Sequence, residues 1–210
     1  FPTRRSSDLF DRDTRELKKL FHSRVQEPTF SPDGSKIAYV EANNIYIYDL
    51  ASKEKTTLTT DGLKNKIING LADWVYEEEF SFVRAFEWSS DSKKIAYIKF
   101  DETNVPEFSM TIYKGNLYPN TDTFKYPKAG EKNAEVSLHI YDIATKGTKK
   151  IDLSDYNDFY IPRIKWTNES DVLSAQILNR RQNKLDLLFV DANLGTKKVI
   201  LNEKDDAYIE

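Results

Sequence analysis

Three stretches of this chain share one layout: PTFSPDGSKIAYVEA (28–42), FEWSSDSKKIAYIKF (86–100) and RIKWTNESDVLSAQI (163–177). Each sets an aromatic residue before a polar four-residue turn and follows it with an alternating apolar run. Alternation at period two sends successive side chains to opposite faces, which is the pattern of a half-buried strand. In the first stretch, Ser31-Pro32-Asp33-Gly34 suits a type I turn, with proline fixing φ at the second position and glycine relaxing the fourth. A second layout follows each of these: NIYIYDLASKEKTTLT (44–59), LHIYDIATKGTKKIDL (138–153) and LLFVDANLGTKKVIL (187–201), each a strand, an Asp-led turn and a strand. LFDRDTRELKKLF (9–21) reads as this second half without its first. Joined, the halves make units of four short antiparallel strands linked by hairpins.

Four-stranded sheets repeated along a chain stack radially as propeller blades, because that leaves only short, protected edges. The expected fold is therefore all-β: a partial β-propeller of about three complete blades plus part of another, with a short helical insertion. Phe30, Trp88 and Trp166 are spaced by 58 and 78 residues, whereas a WD40 array keeps a period of about 40 to 45. The blades must carry insertions, and insertions on a regular scaffold are where function tends to sit. Three units and a fraction do not close a ring, so the chain is expected to be a piece of a longer protein.

Composition narrows the function classes. Twelve Tyr, twelve Phe and three Trp against one Met favour strands. The net charge of −3, from 31 basic and 34 acidic residues, provides no basic field for nucleic acid or an anionic membrane. No window of about eighteen apolar residues is present to span a bilayer. There is no cysteine, which excludes disulfides and thiolate chemistry. Phe1–Leu9 (FPTRRSSDL) reads as a translated sequencing adapter joined to a truncated reading frame, so Arg4 and Arg5 carry no functional weight and residues 10–210 are taken as the domain fragment.

The first insertion, roughly residues 62–80, contains GLADWVYEEEF. Its apolar residues do not alternate; Leu71, Trp74 and Val75 recur at helical spacing, which predicts a short helix begun near Asn69 or Asp73. Close carboxylates raise one another's pKa unless a cation shares the site. A primary ammonium, compact and bearing three donors, can satisfy two carboxylates at once. The free amino terminus of a peptide is such a group, while a solvated acidic helix end fits the same composition. The second insertion, residues 101–135, contains three prolines and two glycines that are expected to break any long regular element. Its five aromatics (Phe108, Tyr113, Tyr118, Phe124, Tyr126) suit packing of a long loop on the sheet, a groove or an oligomer contact.

No catalytic machinery is encoded. The chain lacks a G-x-S-x-G elbow, a phosphate-cradling G-x-x-x-x-G-K and an H-E-x-x-H pair. His22 and His139 stand apart in sequence, and His139 alternates with Leu138 and Ile140 in a strand, which points to structural positions. Asn168-Glu169-Ser170 matches a glycosylation pattern but coincides with a predicted turn. No metal or cofactor is expected.

The ordered series FSPDGSKIAYV, NNIYIYDL, NGLADWVYEEEF, FEWSSDSKKIAYIKFDETNVPEF and KYPKAG resembles the N-terminal propeller of dipeptidyl peptidase IV, in the prolyl oligopeptidase family of serine peptidases, from about Phe10 to Glu210. The resemblance implies an eight-bladed propeller over a C-terminal α/β-hydrolase domain, with the active site in the cavity between them. It also implies that Glu78 and Glu79 bind the free α-amino group of a peptide substrate, Glu77 being a spectator, with Asp73, Trp74 and Tyr76 supporting the helix. The propeller arginine that holds the substrate carbonyl in that family would lie upstream, and the Ser-Asp-His triad would lie beyond Glu210. By the same resemblance a homodimer is plausible, and the absence of cysteine matches bacterial members, which are commonly exported to the periplasm. Two alternatives stay open: a non-catalytic propeller that serves as an interaction scaffold, and the propeller of a related tripeptidyl peptidase.

Overall fold

The computed structural model describes residues 8–21 and 23–209; Phe1–Ser7, His22 and Glu210 lie outside the described residues, and with them Arg4, Arg5 and His22 of the sequence reading. The anticipated half-unit is a hairpin of β1 (Asp8–Phe10) and β2 (Leu17–Lys19). Asp8 and Leu9, within the stretch read as foreign, pair there with Lys19 and Lys18. Three antiparallel sheets follow, as the repeat predicts. The first runs β3 (Gln26–Phe30), β4 (Lys36–Glu41), β5 (Asn44–Asp49), β6 (Lys55–Thr57) in chain order. The second is built on β8 (Phe86–Trp88), β9 (Lys94–Asp101), β12 (Glu135–Asp142) and β13 (Gly147–Lys150). The third is built on β15 (Ile164–Trp166), β16 (Val172–Asn179), β17 (Lys184–Asp191) and β18 (Lys197–Lys204).

The turns form for the reasons the sequence gives. Gly34 N–H donates to Ser31 O at 2.8 Å with φ +72°, and the Ser31 hydroxyl donates to Asp33 Oδ1 at 2.6 Å. All four Asp-led turns use the carboxylate as a substitute backbone acceptor. Asp11, Asp49 and Asp191 each accept two backbone N–H groups from two and three residues on, at 2.8–3.0 Å. Asp142 accepts from Thr145 N at 2.8 Å.

First strands of neighbouring sheets lie side by side. Trp88 Nε1 donates to Thr29 O at 3.2 Å, and Trp166 Nε1 donates to Glu87 O at 3.0 Å. The tryptophan of the second and of the third repeat therefore bonds the first strand of the preceding blade, which marks β3, β8 and β15 as the inner edge of a radial stack. Two further links repeat the pattern in the turns: Asp33 N–H to Ser92 Oγ at 3.1 Å, and buried Lys94 to Asp171 at 2.6 Å. The core sits between blades. One cluster joins Ala38, Val40, Ile45 and Ile47 to Phe86, Trp88, Ile95 and Tyr97. A larger one joins Ile98, Phe100, Leu138 and Ile140 of the second sheet to Ile164, Leu173, Leu188 and Val190 of the third.

The inner edge of the second blade is written in two pieces. Along β9, Trp88 opposes Ile95 and Phe86 opposes Tyr97; further on, β7 (Ile67–Asn69) takes over, with Asn69 opposite Lys99. The third blade repeats this with β14 (Phe159–Tyr160) beyond β15. In the second blade the break is filled by residues 70–85, whose stems pair as they leave: Ala85 N–H donates to Gly70 O at 2.9 Å and Ala72 N–H to Val83 O at 2.8 Å. Gly70, at φ +74°, is packed so closely that a Cβ there would meet Ile45 at 2.8 Å.

The second insertion holds more regular structure than its prolines suggested. β10 (Glu107–Ile112) and β11 (Asn120–Lys125) pair over six residues each. Pro106 and Pro119 stand just before the two strands and Gly115 lies in the connecting turn, so the breakers bound the strands rather than interrupt them. Phe108, Phe124 and Tyr126 cluster, with ring centroids 5.7–6.4 Å apart, while Tyr113 and Tyr118 are exposed.

Candidate functional site

The stem opens into α1 (Trp74–Glu79). Asp73 starts it: its backbone is extended and its carboxylate accepts the Tyr76 N–H at 2.9 Å, satisfying one of the donors a helix start leaves free. Phe80 ends it, donating its N–H to Tyr76 O, and Ser81 at φ +54° turns the chain back toward the sheet. A six-residue helix has no stability of its own, so tertiary packing must hold it.

Tyr76 does most of that holding. Its ring is fully buried and packs against Phe80, Phe82, Phe100 and Tyr160 at centroid distances of 4.8–5.9 Å. Its hydroxyl oxygen accepts the Ile161 N–H at 2.8 Å, so the helix satisfies a backbone group of the third blade. Burial raises the Tyr76 phenol well above its ordinary pKa. The helical spacing of Leu71, Trp74 and Val75 does not describe the buried face. Leu71 precedes the helix, Val75 and Tyr76 are buried, and Trp74 is 38% exposed. Trp74 instead meets Tyr126 edge-on at 4.3 Å, tying α1 to the base of the β10–β11 hairpin.

Two carboxylates near the start of the helix are buried, Asp73 and Glu102. Burial lifts Asp73 to about 6 although backbone N–H groups from Tyr76 and Val75 pull it down. Burial lifts Glu102 to about 7, with the like charge of Asp73 adding to the rise and Lys125 opposing it. Lys125 Nζ donates to Val105 O at 2.8 Å and lies 3.6 Å from Glu107. Nothing in FDETNVPEF marked Glu102 as buried; strand β9 and the turn at Val105 N–H to Glu102 O place it there.

Glu77, Glu78 and Glu79 all stand exposed. None forms an ion pair with a described residue, and the last turn carries no basic side chain. Acidic residues at a helix C-terminus add to the negative end of the helix dipole, so this end concentrates uncompensated negative potential beside the inner edge of the blade. Chemically, it can hold a cation that offers several donors. Among the described residues no group of three or more His, Asp or Glu side chains has an arrangement that would hold a metal ion. His139 is a packing residue: it stacks on Tyr97 at 5.1 Å, contacts Ser137 Oγ at 2.9 Å, and burial lowers it to about 4.

Sequence reasoning missed a charged network along the inner strands. Glu87 Oε1 receives both Arg84 NH2 at 3.2 Å and Lys165 Nζ at 2.6 Å, and Arg84 NH1 reaches Thr29 Oγ1 at 3.1 Å. Its one signal was the recurrence of charged residues beside Trp88 and Trp166 at matching repeat positions.

Comparisons with known proteins agree with this architecture. The family profile described as the dipeptidyl peptidase IV (DPP IV) N-terminal region matches residues 1–210. A probable dipeptidyl-aminopeptidase B of Trichophyton verrucosum is 34% identical over 225 residues, covering 96% of this chain and 25% of that protein. Human prolyl endopeptidase FAP is 37% identical over 166 residues, 76% of this chain and 22% of that one. The crystal structure of Porphyromonas gingivalis dipeptidyl peptidase 4 superposes with a TM-score of 0.91 at 41% identity, over 96% of this chain and 29% of that chain. The chain thus spans about a quarter of the length of the curated relatives it matches. No helix among the described residues is long and apolar enough to cross a membrane. With the blades, the interrupted inner strand and these matches together, the chain belongs to the family of dipeptidyl peptidase IV N-terminal regions.

Proposed function

We propose that this chain is the substrate-gating propeller of a serine-type dipeptidyl peptidase that removes X-Pro or X-Ala dipeptides, and that Glu78 and Glu79 bind the protonated amino terminus of the peptide. The observation that carries the reading is the acidic end of α1: exposed carboxylates without an ion-pair partner among the described residues, on a helix anchored through buried Tyr76 and capped by Asp73. The names of the matched relatives support the peptidase class. Holding the amine at a fixed distance from a nucleophile makes the enzyme count two residues before cutting. Binding far from the scissile bond then orients the reacting carbonyl. On this reading the nucleophile and its triad belong to a C-terminal α/β-hydrolase domain of the same chain, so residues 10–210 alone hydrolyse nothing, and the parent works as an exported homodimer. Phe1–Leu9 is, on the same reading, foreign to the domain.

The test is kinetic. In the intact enzyme, Glu78→Gln and Glu79→Gln should each lower kcat/KM for a Gly-Pro substrate by about 2 to 5 kcal/mol in transition-state binding, with folding unchanged by circular dichroism. Acetylating the substrate amine should erase the difference between wild type and variants. Near-normal cleavage by both variants would overturn the assignment.

A further inference from the structure

Immediately after the acidic helix end, residues 81–85 and Glu87 line one wall of a cleft of about 340 Å³ between the second and third blades, and residues 162–165 line the other. That volume is at the lower end of what small-molecule and side-chain sites enclose. Three cations face it, Arg84, Arg163 and Lys165, against two carboxylates, Glu87 and Glu27. Glu87 is already engaged by Arg84 and Lys165. Arg84 Nε is buried without a hydrogen-bond partner, and its guanidinium charge is answered by Glu87.

Arg163 is different. Its guanidinium lies over the Phe82 ring, 5.5 Å from the centroid, and NH1 donates to Pro162 O at 2.7 Å. Among the described residues it has no carboxylate partner, and its guanidinium makes no hydrogen bond besides that to Pro162 O. An arginine braced by an aromatic face and a backbone carbonyl is a preorganised planar fork, and such forks match carboxylates. Three cations against Glu27 and Glu87 leave the lining one positive charge in excess, which suits a singly charged carboxylate better than a dianion such as phosphate.

We propose that this cleft is a carboxylate subsite in which Arg163 selects peptides whose first residue carries an acidic side chain. The proposal rests on the amine-binding reading of Glu78 and Glu79. Phe82 packs on Tyr76 of α1 at 5.8 Å, and the Tyr76 hydroxyl bonds Ile161, two residues before Arg163, so the cleft is tied to the helix that carries the glutamates and an amine held there directs the side chain of the same residue toward Phe82 and Arg163. Arg163 is then a specificity-determining residue, recognising the side chain while the glutamates count from the amine.

The experiment compares Glu-Pro, Gln-Pro and Ala-Pro chromogenic substrates with the full-length peptidase. The ratio of kcat/KM for Glu-Pro to that for Gln-Pro should fall about tenfold in Arg163→Gln, the loss of one charge-assisted contact. Arg163→Lys, which keeps the charge but not the fork, should give an intermediate ratio; it also serves if the glutamine variant folds poorly. Raised salt should lower the wild-type ratio toward that of Arg163→Gln. Glu78→Gln, run in parallel, should lower all three substrates together. If it does so while Arg163→Gln and Arg163→Lys leave the ratio unchanged, the subsite is wrong and the amine site stands. If Glu78→Gln and Glu79→Gln leave all three substrates unaffected, the amine site is wrong and the subsite falls with it.

Discussion

Asp73 serves α1 as a cap and opposes it as a buried charge. Its carboxylate accepts backbone N–H groups, which favour the ionised form, yet desolvation outweighs them and lifts it to about 6. Glu102, about 7, is lifted the same way. For both acids the folded pKa exceeds the ordinary value, so the native state binds more protons than the unfolded chain between about pH 4 and pH 7. Stability therefore falls as pH rises through that window, and the full cost of the two charges is present above it. Glu102→Gln should raise stability at pH 8 by about 1 to 3 kcal/mol and change it little at pH 4, as read from urea midpoints at the two pH values; a pH-independent effect would refute the account. Asp73→Asn, which keeps an acceptor at the cap, should retain the helix, while Asp73→Ala should lose about 1 kcal/mol. Tyr76→Phe removes the acceptor from the Ile161 N–H and should destabilise by about 1 to 3 kcal/mol. At this scale the sequence offered Asn69 or Asp73 as the start of the helix and the structure takes Asp73, while the acidic run was plain in DWVYEEEF. Glu102 was not, because burial of a carboxylate depends on which strand passes over it.

At the scale of elements, the repeat was legible because each piece is local. Alternation made the strands, and Asp11, Asp49, Asp142 and Asp191 each closed a turn with their own side chain. The β10–β11 hairpin was not legible, since proline and glycine were weighed as breakers of an element rather than as its boundaries. The buried face of α1 was misread for a related reason: six residues make less than two turns, too few for spacing to say which side faces the core. Two substitutions probe how the elements are held. Gly70→Ala forces a Cβ into Ile45 at a positive φ and should cost roughly 1 to 3 kcal/mol, measured by thermal denaturation. Trp88→Phe and Trp166→Phe keep the ring packing but remove the indole donor to the preceding blade; each should cost about 1 kcal/mol and speed amide exchange in both strands it joined, whereas a change confined to one blade would contradict the inter-blade role.

For the whole molecule, each blade buries its faces on its neighbours, so stability should spread along the stack as nearest-neighbour coupling. Leu173, fully buried between the second and third blades, should cost about 2 to 5 kcal/mol when replaced by alanine. Amide exchange should then loosen in those two sheets first and reach the first sheet least. Among the described residues the β10–β11 strands pair only with each other, so they should exchange early in the wild type and leave the blades' protection intact.

What the sequence determined by itself is the part of this protein encoded within a few residues: the strand repeat, the turns, the capped helix and the acidic run that closes it. What only the tertiary structure decided is which distant groups meet: Tyr76 on the Ile161 backbone, Trp88 and Trp166 on the strands before them, Asp73 close enough to Glu102 for their charges to interact, and Arg163 on Phe82. Strand period and turn chemistry act over near neighbours in the chain. Contacts between blades join residues tens of positions apart, and a radial stack of insertion-bearing units settles them only when its sheets pack.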